Sequence, residues 1–587
     1  MSKTSQRNVI VLGLDGLDPG IVEQMIGNGT LPAFGRLAER GGVSPLETVS
    51  PPQSPVAWTT IATGMEPAEH GIYDFLTRDP GEYRPKLSIL KQGKLGYVSP
   101  FQVDPFWQWT TDRGMDASVL KWPLTFPARP LKGRLLTGLG TPDIKGTLGR
   151  YAWYSTAAVD NAAEKKGTLH HVTPEAGVIE TVLEGPVAVS LKSGKPASVP
   201  MKITLGNGSV GIDIDGQHVE LAPGQWSPWL RAHFKVGFMR KVSALFRVHL
   251  VSSAPEFSLY VTPLNISSDA KSLPISYPSG YGRELEDALG PYATLGLAED
   301  ANALNDNLLP ETAFLDQCRM LMDEREQLFR HELDRFSAGK TTVLACVFDT
   351  TDRVQHMFWR YQESGHPARA ENEAVAGAVT EFYARADAML QLALDRAGPE
   401  TLVIALSDHG FSSFRRAAHV NSYLARAGFM RFEEGKTTSA ELFEHVDFSR
   451  TQAFAYGLNS MSLNLAGREK KGIVEKGQAA SVLADVKTSL LAWKDGEHAV
   501  IDSVTSVESS SGGPDLVIGF TPGYRASWQT ALGEAPGGPD VEDNTRNWSG
   551  DHCLSKEHVP GVCAVSEAGL GRPRAIDIAP LIKDYLG

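Results

Sequence analysis

NVIVLGLDG, residues 8–16, decides the fold, because an apolar and β-branched run over 8–14 stops at Asp15. A strand that is covered on both faces of a parallel sheet has this continuous apolar pattern rather than an alternating one. The run is too short for a signal-peptide core or for a membrane span. The sequence therefore predicts a buried first strand with an acidic side chain at its carboxyl end.

Further apolar runs and helical periodicities repeat this arrangement along the chain. Buried strands are predicted at 118–122, 341–348 and 401–410, and helices at 20–39, 54–63, 311–337 and 420–430. Strands that alternate with helices are typical of a doubly wound α/β sheet. In such sheets, ligands bind at the carboxyl ends of the strands.

The segment 151–270 has a different pattern, in which apolar and polar residues alternate between Gly, Asn and Asp turns. This alternation predicts antiparallel strands. We therefore expect three parts in the chain: an α/β core at 1–150, an inserted antiparallel β module at 151–275, and a second part of the α/β core at 276–587.

The net charge of −13 over 587 residues argues against a nucleic-acid duplex as the main partner, because duplex binders need a basic face. It leaves room for an anionic substrate, since bound cations can supply local positive charge. The four cysteines form no CxxC pair and are too few for a disulfide framework, which favours a reducing compartment. We expect a cytoplasmic protein without a membrane span, and a homo-oligomer is left open.

Acidic and histidine side chains follow several of the predicted strands or lie in turns. They are Asp15, the pair Asp352 and His356, the pair Asp408 and His409, and His552. Strand ends meet at one edge of a sheet, so these side chains can converge there. Asp352 and His356 are four residues apart and share one face if the segment is helical. Asp and His together favour zinc or a similar transition metal over magnesium, which prefers oxygen ligands.

The stretch SPPQSPVAWTTIATG, residues 50–64, is predicted to be a helix with both ends marked. Ser54 is expected to be the N-cap, Pro55 the first helical residue and Gly64 the C-terminal cap. The start of a helix also favours an anion, through its dipole and its free N–H groups. Ser54 is therefore a candidate both for capping and for nucleophilic attack.

Five motifs, in order along the chain, resemble those of the type I phosphodiesterase/nucleotide pyrophosphatase family of the alkaline phosphatase superfamily. They are LGLDG (12–16), SPVAWTTIATGMEPAEHGIYDF (54–75), TDRVQHMFW (351–359), SDHGF (407–411) and SGDHC (549–553). The family places a Thr or Ser ten residues before the Gly of a TG, followed by P-x-x-HGI, and Ser54 holds that position relative to Gly64. The resemblance touches both ends of the chain but not the predicted β insert.

The resemblance implies an alkaline-phosphatase-like fold and a metal-dependent hydrolase of small-molecule phosphate esters, either diesters or monoesters. It implies that Ser54 is the nucleophile and forms a phosphoseryl intermediate. It also implies two divalent metal ions, zinc by ligand type with manganese as the alternative. One ion resembles the site held by Asp15, Ser54, Asp408 and His409, and the other resembles the site held by Asp352, His356 and His552.

One position departs from the family pattern. Family diesterases commonly place an Asn after HGI, where it hydrogen-bonds a phosphoryl oxygen, but the aligned position here is Phe75. Asp74 beside it would repel a phosphate unless it were protonated or bound to a metal. The candidate substrate-binding residues are Asp74, Phe75, Lys121 and Arg353. Lys121 and Arg353 are the cationic substitutes among them.

Other functional classes fit the residues less well. A sulfatase needs Pro and Arg two and four positions after its nucleophile, where this chain has Val56 and Trp58. A dinucleotide-binding turn needs G-x-G-x-x-G, which LGLDGLDPG lacks. A cofactor-independent phosphomutase of the same superfamily also uses a Ser and two metals, and stays the main alternative. A non-catalytic binding protein with a relic core is the third possibility.

Overall fold

The computed structural model describes residues 7–94, 96–187, 195–237, 240–270, 273–337, 339–508, 513–567 and 571–587. The chain forms two compact units. The first unit comprises 1–96, 100–115 and 336–587, and the second comprises 97–99 and 116–335. The three-part division at 150 and 275 stays a prediction.

Five neighbouring strands of a mixed sheet lie at the centre of the first unit. They lie in the order Val43–Leu46, Gly561–Val565, Thr401–Leu406, Asn8–Leu14 and Val343–Phe348. Asn8–Leu14 runs parallel to both of its neighbours, with Val9 opposite Val343 on one side and Leu402 on the other. The two strands at the far edge pair antiparallel. The architecture is mixed α/β, consistent with the predicted alkaline-phosphatase-like fold.

The first strand is confirmed as a buried strand, because six of its seven residues, all but Asn8, are buried. The runs predicted at 341–348 and 401–410 are strands at Val343–Phe348 and Thr401–Leu406. Because these strands are parallel to Asn8–Leu14, their three carboxyl ends lie on the same edge of the sheet. This edge carries the candidate site.

The helix predicted at 20–39 is wrong as a single element. The structure has two helices, Pro19–Gly27 and Pro32–Ala38. The first ends where Asn28 is the C-cap and Gly29 takes a φ of 79°, which a glycine adopts without strain. Pro32 then begins the second helix, where its missing N–H costs nothing.

The predicted N-cap of the next helix is wrong by one residue. The helix is Ser54–Thr63, and Gln53, with φ −104° and ψ 139°, is its N-cap. Ser54 is therefore the first helical residue, and the side chain of the N-cap Gln53 makes no capping hydrogen bond. Gly64 is the C-cap as predicted, with a φ of 71°.

Twelve further α-helices lie in the described residues. The remaining helices of the chain are Pro67–His70, Phe106–Asp112, Tyr281–Leu289, Ala301–Asn305, Glu311–Ser337, Thr350–Phe358, Glu373–Ala376, Ala378–Arg396, Val420–Arg426, Ala479–Leu491, Trp528–Ala531 and Ile578–Leu586. None of the helices in the described ranges is both long and apolar enough to cross a lipid bilayer.

The second unit is rich in strands. They are Ala117–Trp122, Gly133–Thr137, Ala152–Ser155, Thr168–His171, Val178–Val187, Pro196–Leu205, Val210–Ile214, Gln217–Leu221, Leu230–Lys235, Lys241–Phe246, Val248–Ser252, Ser258–Val261, Asn265–Ile266 and Ser276–Tyr277. Val178–Val187 to Gln217–Leu221 form a four-stranded antiparallel meander. Thr168–His171 pairs parallel with Ala152–Ser155, so the predicted 151–275 segment is not antiparallel throughout. Its status as an insertion stays a prediction.

Short strands complete the first unit. They are Leu76–Arg78, Pro85–Leu87, Lys91–Gly93, Gly96–Val98 (which continues into the second unit), Ser412–Ala418, Ala453–Tyr456, Ser460–Leu463, Lys494–Asp495, His498–Ala499, Ile501–Ser506, Leu516–Phe520, Gly523–Ala526, Val541–Asp543 and Gly550–Asp551. All four cysteines are buried with free thiols.

Candidate active site

Two groups of buried side chains at the carboxyl edge of the sheet could each hold a metal ion. The Asp15 group consists of Asp15, Asp408 and His409, and the Asp352 group consists of Asp352, His356 and His552. Within each group, one ligand atom per residue lies within 4.8 Å of the others. The structure thus brings together all six residues that the strand-end pattern singled out, and it divides them as the family resemblance implies.

The Asp15 group lies at the ends of two neighbouring strands and includes the candidate nucleophile. His409 Nε2 lies 3.2 Å from Asp408 Oδ2 and 3.5 Å from Asp15 Oδ1. Ser54 Oγ lies 3.2 Å from the same His409 nitrogen. The hydroxyl of Ser54 therefore points at the atoms that would face a cation.

The Asp352 group is built on the helix Thr350–Phe358. Asp352 and His356 share one face of this helix, and Asp352 Oδ1 lies 3.2 Å from His356 Nε2. His552 arrives from the other end of the chain, and its Nε2 lies 3.6 Å from the same carboxylate oxygen. The second carboxylate oxygen, Oδ2, lies 3.2 Å from Arg353 Nη1.

Each histidine of the two groups has its outer nitrogen against a backbone carbonyl. His356 Nδ1 lies 2.7 Å from Gly550 O, His552 Nδ1 lies 2.6 Å from Pro52 O, and His409 Nδ1 lies 3.1 Å from Gly410 O. Because a carbonyl only accepts, each Nδ1 must be the donor. The lone pair of a neutral ring is then on Nε2, which faces the carboxylates, as in metal-ligating histidines.

The carboxylates fit a cation because three of their oxygens have no other partner. Asp15 Oδ1, Asp352 Oδ1 and Asp408 Oδ2 are buried and make no hydrogen bond within the described part of the chain. A buried polar atom without a partner is costly, and an anionic one more so. A divalent cation bound to each group would satisfy these oxygens together with the inward Nε2 atoms.

Burial and mutual repulsion shift the pKa values at this edge. Burial raises the pKa of Asp15 well above its ordinary value, and the charges of Asp408 and Asp352 raise it further. Burial likewise raises the pKa of Asp408 to about 8. Burial lowers the pKa of His552 to about 4 and that of His409 well below its ordinary value. The rings of His409 and His552 are therefore neutral near pH 7, and Asp15 and Asp408 need a cation to be ionised together.

These shifts predict how the stability of the metal-free protein depends on pH. The folded protein keeps the Asp408 proton up to about pH 8, whereas the unfolded chain releases it near its ordinary pKa of 3.8. Ionising the buried group opposes folding, so the free energy of unfolding falls as pH rises through this interval. The neutral histidines act in the opposite sense only below their ordinary pKa of 6.5. We expect a decrease between pH 6.5 and 8.

Urea titrations of chelator-treated protein at several pH values across this interval measure the effect. Zinc should abolish the decrease or reverse it, because cation binding favours the ionised carboxylates. A metal-free protein whose stability is constant or rises over the interval contradicts the assignment of Asp15 and Asp408 to one crowded, buried pair.

Asp74, considered above for substrate binding, uses both carboxylate oxygens inside the protein. Its Oδ2 accepts from the N–H groups of Leu458 (2.9 Å) and Asn459 (3.2 Å) and from the Ser460 hydroxyl (3.1 Å). Its Oδ1 accepts from the Leu76 N–H at 3.2 Å. Asp74 thus holds a turn in place, and its role as a substrate ligand finds no support in these contacts.

Phe75 is tied to the nucleophile segment by its backbone. Its N–H donates to Gln53 Oε1 at 3.0 Å, and Gln53 Nε2 donates to Asn459 Oδ1 at 2.7 Å. Gln53 is the N-cap residue directly before Ser54. The chain therefore places an aromatic side chain where the family pattern has an amide, and it uses amides behind the nucleophile for support.

The two candidate cations differ in their surroundings. Arg353 contacts Asp352, and its guanidinium lies 5.9 Å from the ring centre of Trp548. Lys121 donates to the Ala293 carbonyl at 2.6 Å and lies 6.0 Å from the ring centre of Tyr292. These two contacts of Lys121 lie within the second unit, and we leave Lys121 out of the proposed site.

Several supporting residues were not predicted from the sequence. Trp58 Nε1 donates to Asp15 Oδ2 at 3.0 Å, and a Cβ atom at Gly13 would lie 2.6 Å from the Trp58 ring. The Thr351 hydroxyl donates to Asp15 O at 2.5 Å, and Gln355 Nε2 donates to Gly16 O at 2.6 Å. Thr351 and Gln355 flank the ligands of the second group, so these bonds fasten the two groups to each other. In the sequence, only the Gly-Leu-Asp-Gly motif at the end of the first strand hints that other residues pack closely around Asp15.

Comparison with known proteins gives one match that covers most of the chain. The model of the type I phosphodiesterase/nucleotide pyrophosphatase family matches residues 9–189 and 257–527. The unmatched stretch 190–256 lies inside the predicted β-rich part, and His552 lies beyond the matched ranges. No curated protein matches the chain in sequence.

Two solved structures are similar to the chain in fold. Both are of phosphonoacetate hydrolase from Sinorhizobium meliloti 1021, one in complex with phosphonoacetate and one with phosphonoformate. The first is 13% identical with a TM-score of 0.45, and the second is 14% identical with a TM-score of 0.44. In both, the match covers 99% of this chain and 96% of the other. A likeness at this level carries no functional information.

Proposed function

This chain belongs to the type I phosphodiesterase/nucleotide pyrophosphatase family, and from that membership we propose that it cleaves small-molecule phosphate esters with two metal ions and a phosphoseryl intermediate on Ser54. As a member of the family it is a phosphodiesterase/phosphatase-type hydrolase. The metal ions, the nucleophile and the intermediate are the proposal.

One observation carries the proposal. Three buried carboxylate oxygens without partners face three imidazole Nε2 atoms, and the Ser54 hydroxyl lies within 3.2 Å of one of those nitrogens. In a packed core such an arrangement would be destabilising, because unpaired buried charge opposes folding. Two divalent cations and an anionic substrate are what this edge of the sheet could hold.

The residues divide between the two cations as follows. Asp15, Ser54, Asp408 and His409 would hold one ion, and Asp352, His356 and His552 would hold the other. The donor set of carboxylates and imidazoles suits zinc, with manganese as the alternative. When bound, such a pair of cations activates a hydroxyl nucleophile and neutralises charge on phosphoryl and leaving-group oxygens.

Ser54 is placed to attack phosphorus. It is the first residue of a ten-residue helix, whose N-terminal dipole favours an anionic group. The Ser54 N–H makes no hydrogen bond within the described residues, so it is available to a phosphoryl oxygen. A bond forms from Ser54 Oγ to phosphorus while the bond to the leaving oxygen breaks, and the serine proton is lost to solvent. Water then cleaves the phosphoseryl ester and restores the hydroxyl.

A panel of substrates tests the function and separates it from its alternatives. Metal-stripped protein is reloaded with zinc or manganese and assayed on aryl phosphate monoesters, aryl phosphodiesters, phosphonates and an aryl sulfate. We expect release of the aryl alcohol from at least one phosphate ester and none from the sulfate. A protein that isomerises a phosphorylated sugar or glycerate without releasing phosphate would instead be a phosphomutase. A protein that binds no zinc would be a relic.

A further inference from the structure

The segment Trp548–Cys553 reaches the Asp352 group at three places. The Trp548 ring lies flat on His356, with 3.8 Å between ring centres. The Gly550 carbonyl faces His356 Nδ1 at 2.7 Å. His552 is itself a member of the group. The geometry of two of the three proposed ligands therefore depends on how this segment is held.

Asp551 is the centre of the segment. Its Oδ1 accepts from the N–H groups of His552 and Cys553, each at 2.8 Å. Its Oδ2 accepts from the indole N–H of Trp548 at 2.7 Å. A single carboxylate thus connects the backbone of one proposed ligand with the ring that packs on another.

Arg525 fixes the orientation of this carboxylate. Its Nε lies 2.8 Å from Asp551 Oδ2, and the residue is fully buried. The guanidinium lies 4.0 Å from the ring centre of Trp528 and 5.0 Å from that of Phe414. Its Nε and its Nη2 have no hydrogen-bond partner within the described residues, so the contact with Asp551 is an ion pair rather than a hydrogen bond.

The ion pair between Arg525 and Asp551 is not expected to raise the free energy of unfolding by much. A fully buried ion pair loses the hydration of both charges, and apolar replacements of similar volume are often neutral or stabilising. An arginine with a partly unsatisfied guanidinium increases this cost. The arrangement is therefore better explained by what it holds in place.

We propose that Arg525 and Asp551 are positioning residues for the Asp352 group, and that they set its affinity for the cation without affecting the Asp15 group. This inference rests on the two-metal function proposed above. Partners that orient metal ligands from outside typically change metal affinity by about 10–100-fold.

Zinc titration of metal-free protein, in competition with a chelating indicator, tests the proposal. We expect Arg525→Met to bind one zinc ion as the wild type does and the other about 10–100-fold more weakly. Arg525→Lys keeps the charge and should lose less. Asp352→Asn identifies which phase of the titration belongs to the Asp352 group. Equal affinities in Arg525→Met and wild type, or an equal loss at both sites, overturn the proposal.

A double variant separates positioning from stability. In Arg525→Met/Asp551→Asn both buried charges are gone, so the free energy of unfolding should return toward the wild-type value. The new amide NH2 would face the Trp548 N–H, donor against donor, so the segment would still be misplaced. We expect weak zinc binding to persist at the Asp352 group. Recovery of affinity together with stability overturns the positioning role.

Arg468→Met is the matched control, because Arg468 pairs with Asp515 at 2.6 Å in the same unit and none of its contacts includes a proposed ligand. It should bind both zinc ions as the wild type does. A wild-type protein that binds fewer than two zinc ions contradicts the two-metal function itself. A wild type that binds two, with unchanged Arg525 variants, contradicts only the inference made here.

Discussion

We expect Ser54→Ala to abolish the proposed turnover of phosphate esters, lowering kcat/KM by at least about 10⁴-fold, as loss of a catalytic nucleophile does in other hydrolases. The alanine removes the only atom that can form the phosphoseryl bond. We expect it to leave the helix in place, because Gln53, and not Ser54, is the N-cap residue. We expect metal content near two zinc ions, since the other six proposed ligands remain.

Two further measurements make this result specific. Ser54→Thr keeps a hydroxyl at the same place and should retain measurable activity, as the family accepts Thr or Ser there. Acid-quenched wild-type enzyme should carry a phosphoryl group on the peptide that contains Ser54, and Ser54→Ala should not. Full activity in the alanine variant would contradict the covalent mechanism.

Asp352→Asn removes the one carboxylate of its group and should lower kcat by about 10³-fold or more, together with the loss of one bound zinc ion. Asp352 Oδ1 is the buried oxygen that faces both His356 and His552. An amide at this place is neutral, so it binds a cation far more weakly. Treatment of the wild type with a chelator should give an equal or larger loss, which zinc or manganese reverses.

Asp349→Asn is the control for this prediction, because Asp349 precedes the same helix but belongs to neither metal-binding group. It should keep two zinc ions and most of the activity. Metal analysis of the dialysed proteins and steady-state kinetics on the best ester of the panel provide both readouts. Two zinc ions and wild-type kcat in Asp352→Asn would contradict the assignment.

The sequence correctly predicted those elements of the site in which a buried strand ends at a polar residue. Continuous apolar runs identified the strands before Asp15, Asp352 and Asp408, and parallel pairing made their ends meet. His552 was the weakest of these predictions, because no long strand precedes it. Its place follows from Gly561–Val565, which lies antiparallel to Thr401–Leu406, and antiparallel pairing brings the start of one strand to the end of the other.

The sequence did not predict contacts between residues that are far apart in the chain. Gly13 and Trp58 lie against each other, and Arg525 meets Asp551, but no local pattern announces either contact. The sequence also does not show which groups a single side chain will contact. Asp74 looked like a neighbour of the substrate, yet its hydrogen bonds go to a turn that is almost 400 residues away in the chain. Only the folded backbone decides such partners.

The insertion of Gly561–Val565 between Val43–Leu46 and Thr401–Leu406 has a kinetic consequence. Strand pairs of such long sequence separation close large loops, which slows folding. Because long-range pairing is expected to form late, we expect the segment that carries His552, and with it the cation site, to form late in folding. Bound metal should therefore leave the refolding rate unchanged and slow unfolding, because it would stabilise the folded protein but not the transition state for folding.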